Sequence, residues 1–196
     1  MKRRRGRPKT VNRERAIELA MESYWRDGLF AVSLNQLCRR ASISKPALYR
    51  EFGGEDGLME AALLEYRQRF VLPLLAVVAA DLPFEQTLDQ LVLVTTVDRD
   101  TPAGCLFTAM RLSQARLGPA TAARVSTIVE ERRAAFEDGY RRALARGEAD
   151  PDRSPEFAAR YLDTQLTTIL VQMASGEEPD LVRPQARLAL RALLPT

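Results

Sequence analysis

Apolar positions recur along this chain with the period of helices, and the breaks between periods carry cap and turn residues. Ile17, Leu19, Ala20, Tyr24 and Trp25 follow Asn12, an N-cap type, and the run stops at Gly28, suited to the left-handed position after a helix. Ser33 stands as an N-cap before Leu34, Leu37 and Cys38, and Ser44 stands as a second before Lys45 to Arg50. Two short helices joined by Ala41-Ser42-Ile43 are what a helix-turn-helix requires. Leu37, Ile43, Leu48 and Phe52 take the packing positions.

After Gly53-Gly54, the acidic residues Glu55 and Asp56 favour a helix start, and Leu58, Met59, Ala62, Leu63 and Tyr66 form one face. That helix is predicted to pass Phe70, with a kink or an end near Pro73. Further helices are predicted at 84–97, 102–116, 120–146, 155–174 and 181–194, each bounded by Pro, Gly or Asp. Propensity in Leu91 to Val97 favours a strand, but a lone strand has nothing to pair with, so the stretch is assigned to a helix. The expected fold is all-α with about nine helices. Residues 1–53 are read as a basic arm and a three-helix domain, and residues 54–196 as a helical regulatory and dimerisation domain, joined by the helix starting near 55.

Composition narrows the chemistry. The 196 residues include no histidine, which removes Ser-His-Asp and Cys-His catalysis and every histidine metal site. Cys38 and Cys105 are too few for a thiolate metal site or a disulfide framework. The longest apolar run, Phe70 to Ala80, is too short to span a bilayer, and no apolar signal core follows the basic N-terminus, so a cytoplasmic protein is expected. The net charge of +3 conceals an asymmetry. Met1 to Gly53 carries 13 Lys and Arg against 5 Asp and Glu, a net of +8, and the remainder carries a net of −5. A basic module on a slightly acidic body is the arrangement of a protein that meets a polyanion at one end.

In a helix-turn-helix the N-terminal end of the second helix enters the major groove, so Ser44, Lys45, Pro46 and Ala47 are expected nearest the base edges. Tyr49 and Arg50, one turn later, are expected on phosphates, as are Ser33 and the N–H groups of its helix. The arm contributes Arg3, Arg4, Arg5, Arg7 and Lys9. Its Arg5-Gly6-Arg7-Pro8 segment is slim and cationic, suits a narrow A·T-rich minor groove, and resembles the core of an AT-hook.

Taken together, Ala-Ile-Glu-Leu-Ala from Ala16, Gly28-Leu-Phe-Ala-Val-Ser33 and Leu37-Cys-Arg-Arg-Ala41-Ser-Ile-Ser44-Lys-Pro-Ala-Leu-Tyr49-Arg-Glu-Phe52, followed by Leu58-Met59, resemble the DNA-binding domain of the TetR/AcrR family of bacterial transcriptional regulators. The resemblance implies an all-helical homodimer, a fourth helix linking the DNA-binding domain to the body, and a variable C-terminal ligand pocket. It therefore implies a ligand-responsive repressor on a palindromic operator in double-stranded DNA, associated with the nucleoid when bound, with a small-molecule effector, no cofactor, no metal and no catalysis. Two positions depart from the family pattern. Ser42 stands where Gly is usual in the turn, and Glu55 stands where a phosphate-contacting Lys is usual at the start of the fourth helix.

For the body, the expected pocket residues are Cys105, Phe107, Met110, Arg111, Gln114 and Gln165, and the expected dimer face is Tyr161, Leu162, Leu166, Ile169, Met173 and Leu188. Three other readings stand beside this one: a redox sensor using Cys105, a carboxylate enzyme, and an architectural DNA binder using the arm. Glu130-Glu131 and Glu177-Glu178 look like solvated faces rather than catalytic pairs. A purely architectural role leaves the large apolar body unexplained.

Overall fold

The computed structural model describes residues 13–80, 82–97, 101, 102 and 104–195. Ten α-helical segments cover most of them: α1 Arg13–Asp27, α2 Leu34–Arg40, α3 Lys45–Phe52, α4 Glu55–Tyr66, α5 Leu72–Ala79, α6 Phe84–Thr96, α7 Leu106–Leu112, α8 Pro119–Ala145, α9 Pro155–Ala174 and α10 Pro179–Arg191. No strand occurs among the described residues. The expected Asn12 cap and the arm fall outside them.

Local chemistry explains the helix-turn-helix. The Ser33 Oγ accepts the Gln36 N–H at 3.3 Å, and the Gln36 side chain returns to the Ser33 N–H at 2.8 Å, a reciprocal capping box. The Ser44 Oγ accepts the Ala47 N–H at 3.3 Å, with Pro46 in the first turn of α3. Between these caps α2 closes as a Schellman motif: the Ile43 N–H donates to the Cys38 carbonyl at 3.0 Å and the Ser42 N–H to the Arg39 carbonyl at 3.2 Å. Ser42 takes φ +52, the one positive φ outside glycine among the described residues. A side chain in this region costs about 1–2 kcal/mol, and glycine gives back part of that relief as lost backbone entropy. Ser42→Gly is therefore expected to raise stability by about 0.5–1 kcal/mol in urea denaturation, and an unchanged midpoint would show the turn to be unstrained.

The fourth helix does pass Phe70 and continues to Ala79 through a π-helical turn at Arg67–Val71, where the Leu72 N–H reaches back five residues to the Arg67 carbonyl. Pro73, in the first turn of α5, lacks an N–H, and the widened turn ends two residues before it. The β-branched stretch at 91–96 is helical. Thr95 Oγ1 donates to the Leu91 carbonyl at 2.7 Å and Thr96 Oγ1 to the Val92 carbonyl at 2.8 Å, so both hydroxyls are satisfied while Leu91 and Val92 are buried. The helix expected at 102–116 is shorter. It starts only at Leu106, because Gly104 takes φ +80 beside α9, where a Cβ would lie 2.7 Å from Ala174 Cβ. It ends at Leu112, and a 3₁₀ turn follows at Gln114–Arg116.

The apolar core forms two clusters. One joins α1 to α4 with α7 and the first half of α8, around Tyr24, Leu48, Leu58, Leu63, Met110 and Ile128. The other joins α5, α6, the second half of α8, α9 and α10, around Leu91, Phe136, Tyr140, Leu162 and Leu166. Leu37, Ile43 and Leu48 are buried, and Phe52 is half-buried, with the Arg13 guanidinium 5.6 Å from its ring centroid.

Candidate functional site

The caps and the turn place a row of side chains on the outer face of α3. Ser44, Lys45, Pro46, Tyr49 and Arg50 are exposed and Ala47 is half-buried, while Leu48 faces the core. The Ser44 cap uses an oxygen lone pair, which leaves its O–H proton able to donate outward. Ser33 differs, because its hydroxyl donates to Gln36 Oε1 at 2.9 Å. Arg40 is tied back to Asp27 at 2.6 Å and to Ser23 at 2.8 Å, holding α2 against α1. Glu51 is neutralised by Arg13 at 3.3 Å, and Glu55 remains exposed at the start of α4. Burial pushes the Cys38 thiol up, with Lys45 opposing, so this cysteine packs as a neutral side chain.

Asp56 joins the helix-turn-helix region to the body. Its carboxylate accepts the Ala120 N–H at 2.9 Å, the Thr121 N–H at 3.1 Å and the Thr121 hydroxyl at 2.6 Å, capping α8 from a different helix. The α8 N-cap is Gly118, which has no side chain of its own to accept these N–H groups, and a Cβ there would sit 2.3 Å from the Asp56 carboxyl carbon. Burial pushes this carboxyl up, but the Thr121 hydroxyl and the Ala120 and Thr121 N–H groups outweigh it and hold it below the ordinary 3.8. The contribution is therefore fully present above the ordinary value and is lost as pH falls through the depressed one. Asp56→Ala is expected to cost about 1–2 kcal/mol at neutral pH. Its urea midpoint should converge on that of the wild type in strong acid, and a gap that persists there would remove the carboxylate from the account.

A second constellation lies behind the π-helical turn. Two adjoining cavities, of about 200 and about 90 Å³, share Tyr66, Phe70, Val94, Thr95 and Leu170 as a common wall. Trp25, Gly104 and Met173 line the larger, and Pro73, Cys105 and Arg132 the smaller. Trp25, Tyr66 and Phe70 form an aromatic cluster with ring centroids 4.8–5.0 Å apart. The Tyr66 hydroxyl donates to Cys105 Sγ at 3.2 Å, and the same sulfur accepts the Thr108 N–H at 3.4 Å as the cap of α7. Beneath lies a buried ion triad: Asp163 meets Arg111 at 2.7 Å and Arg132 at 3.1 Å.

Several body residues stand elsewhere than their sequence pattern suggests. Of the expected pocket residues, Cys105 lines the cavity. Phe107 and Met110 are instead core residues of the first cluster, because α7 turns its apolar face towards α4 and α8. Arg111 is held by Asp163, and Gln114 donates to the Ala122 carbonyl at 2.9 Å and to Ser126 Oγ at 2.7 Å. Gln165 is half-buried on α9 and lines neither cavity. Of the expected dimer face, Leu162, Leu166 and Ile169 are corrected: they are buried in the protomer's own second core, because the apolar face of α9 packs on α6, α8 and α10. The Tyr161 hydroxyl donates to the Ala189 carbonyl at 2.8 Å, and Met173 lines the larger cavity. Leu188 does face outward, 76% exposed, accompanied on the outer faces of α9 and α10 by Val171 and Leu181, which the sequence pattern did not single out. Arg132 was also missed. A signal for it existed, since it interrupts the stripe Ile128, Phe136, Tyr140 at four-residue spacing.

An all-helical body carrying a capped helix-turn-helix at one end is the architecture of DNA-binding transcriptional regulators. Residues 16–62 match the family model for bacterial regulatory proteins of the tetR family. The HTH-type transcriptional repressor ComR of Escherichia coli (strain K12) is 29% identical over 199 residues, covering 97% of this chain and 93% of ComR. Among solved structures, the TetR family regulator CifR, as a cysteine mutant complexed with a 26 bp double-strand operator DNA, is 26% identical with a TM-score of 0.82, covering 96% of this chain and all of CifR. The reduced form of NemR from E. coli shares the fold at 13% identity, with a TM-score of 0.79 over 94% of this chain and 97% of NemR. The match at residues 16–62 is to the DNA-binding domain of the tetR family, and over nearly its whole length the chain is similar to regulators of that family.

Proposed function

We propose that this chain is a ligand-responsive repressor that binds a palindromic operator as a homodimer in the cytoplasm. The observation that carries the reading is the exposed, doubly capped face of α3, where Ser44, Lys45, Pro46 and Ala47 occupy the leading turn and Tyr49 and Arg50 the next. In this reading Lys45 meets base edges or phosphate, the Ser44 hydroxyl donates outward, and Arg50 and Tyr49 hold the backbone on either side of the groove. Residues 1–53 serve as the DNA-binding unit and 54–196 as the regulatory and dimerising unit. The outward apolar residues Val171, Leu181 and Leu188 on α9 and α10 support pairing of two copies through these helices, and the cavity behind the π-helical turn supports a small-molecule effector. The Asp56 clamp offers a route between them, since α8 borders the cavity at Arg132 and ends on α4 beside the recognition helix. Ligand then shifts the population towards dimers whose α3 helices no longer match successive major grooves. Among the described residues no helix is long and apolar enough to cross a membrane.

Selecting bound fragments from random duplexes at fixed salt tests the proposal. A recovered palindrome supports it, and the absence of any sequence preference sinks it. The arm is assigned to the minor groove, where Arg3, Arg4, Arg5, Arg7 and Lys9, together with Lys2, offset the phosphate repulsion of the exposed Glu55. Deleting residues 2–9 is expected to weaken operator binding about tenfold and to flatten the dependence of log affinity on log salt by about 0.9 for each phosphate no longer neutralised. An unchanged slope would show that the arm does not touch the duplex.

A further inference from the structure

We infer that the effector is a largely apolar carboxylate whose anionic end is held by Arg132, an assignment that rests on the cavity being the effector site. The cavity wall is lined mostly by apolar and aromatic side chains, which select a hydrocarbon or aryl body. Its unmet polar groups are of one kind. Arg132 is 3% exposed and lines the smaller cavity, yet its Nε has no hydrogen-bond partner, and its Nη2, 3.1 Å from Asp163, lacks the alignment of a hydrogen bond. Trp25 lines the larger cavity, and its Nε1 is likewise buried without a partner. Guanidinium and indole N–H groups donate and cannot accept, so an occupant that reaches either of them must bring it an acceptor.

Charge decides between a neutral acceptor and an anion. Arg111 and Arg132 share the single carboxylate of Asp163, which leaves the triad one positive charge in excess. An incoming carboxylate completes the pairing and meets a planar fork of donors, whereas an alcohol satisfies a donor and leaves the positive excess uncompensated. The neighbouring Phe107 and Phe136 rings, centred 5.2 and 5.7 Å from the Arg132 guanidinium, keep this charge out of water without neutralising it.

The chain contains one tryptophan, Trp25, so quenching of its emission reports occupancy directly. The probes are hydrocinnamate and octanoate beside hydrocinnamyl alcohol and octanol, titrated into the full-length protein. The carboxylates are expected to bind about tenfold or more tightly than their alcohols. Arg132→Gln should erase that preference and Arg132→Lys retain part of it. The wild-type comparison stands by itself if Arg132→Gln does not fold. Alcohols that quench at equal or lower concentration overturn the anionic assignment and leave the cavity as the effector site. Failure of all four probes to alter the emission overturns both.

Discussion

Replacing Asp163 with alanine is expected to lower the free energy of unfolding by about 3–5 kcal/mol. Asp163 and Arg132 are 2% and 3% exposed, and Arg111 reaches the same carboxylate from the half-exposed end of α7. Two ions on one carboxylate create an asymmetry. With the carboxylate gone, Arg111 can turn to solvent, but Arg132 is enclosed by α8, α9 and the rings of Phe107 and Phe136 and keeps its charge. Because whole domains are stable by only about 5–15 kcal/mol, such a variant would stand near the limit of folding. Pairing Asp163→Leu with Arg132→Met should recover most of the loss, since removing both charges also removes their desolvation. Urea midpoints of the three proteins decide the matter: a single variant within about 1 kcal/mol of wild type would show that the triad is solvated in practice.

Lys45→Glu is expected to weaken operator binding by roughly 10² to 10⁴-fold. The residue is exposed in the first turn of α3, next to Ser44 and Pro46, where a major-groove helix makes its closest approach. Substitution removes a cationic interaction worth about 1–3 kcal/mol and places a carboxylate against phosphate, and a two-fold dimer suffers the penalty in both half-sites. A half-site duplex should therefore show about the square root of the full penalty. Fluorescence anisotropy with full and half operators separates the two, and weakening by less than about threefold on the full site would place α3 away from the groove. Stability should hardly change, because the exposed Lys45 side chain lies outside the core.

The helix-turn-helix end was legible in the sequence because its determinants are local. Ser33 and Ser44 each act on an N–H three residues ahead, and the Ala41-Ser42-Ile43 turn closes within six residues, so adjacent letters suffice. The limits of α9 were legible for the same reason: Ser154 and Pro155 mark its start. The body was less legible because its determinants come from separate elements. A continuous apolar face on Leu162, Leu166 and Ile169 is compatible with either a subunit interface or a private core, and only the placement of α6, α8 and α10 decides for the core. The cavity gathers residues from α1, α4, the π-helical turn, α6, α8 and α9, and no single helix shows its concavity. The π-helical turn itself follows from a proline two residues past its end combined with tertiary packing, and periodicity cannot register one extra residue per turn.

The clamp at the head of α8 sets a mechanical scale. Ala120 lies about 18 Å along the helix axis from Arg132 at about 1.5 Å per residue. If the 27-residue helix stays straight, a tilt of about 3° pivoting near Arg132 displaces its tip, and with it Asp56, by about 1 Å. Asp56 stands two residues beyond Gly54, at the C-terminal foot of α3, so under the proposed function a sub-ångström adjustment around an effector would become an angular displacement of α3. In the proposed symmetric pair two such displacements would add, and stiffness rather than softness would make the regulator sensitive.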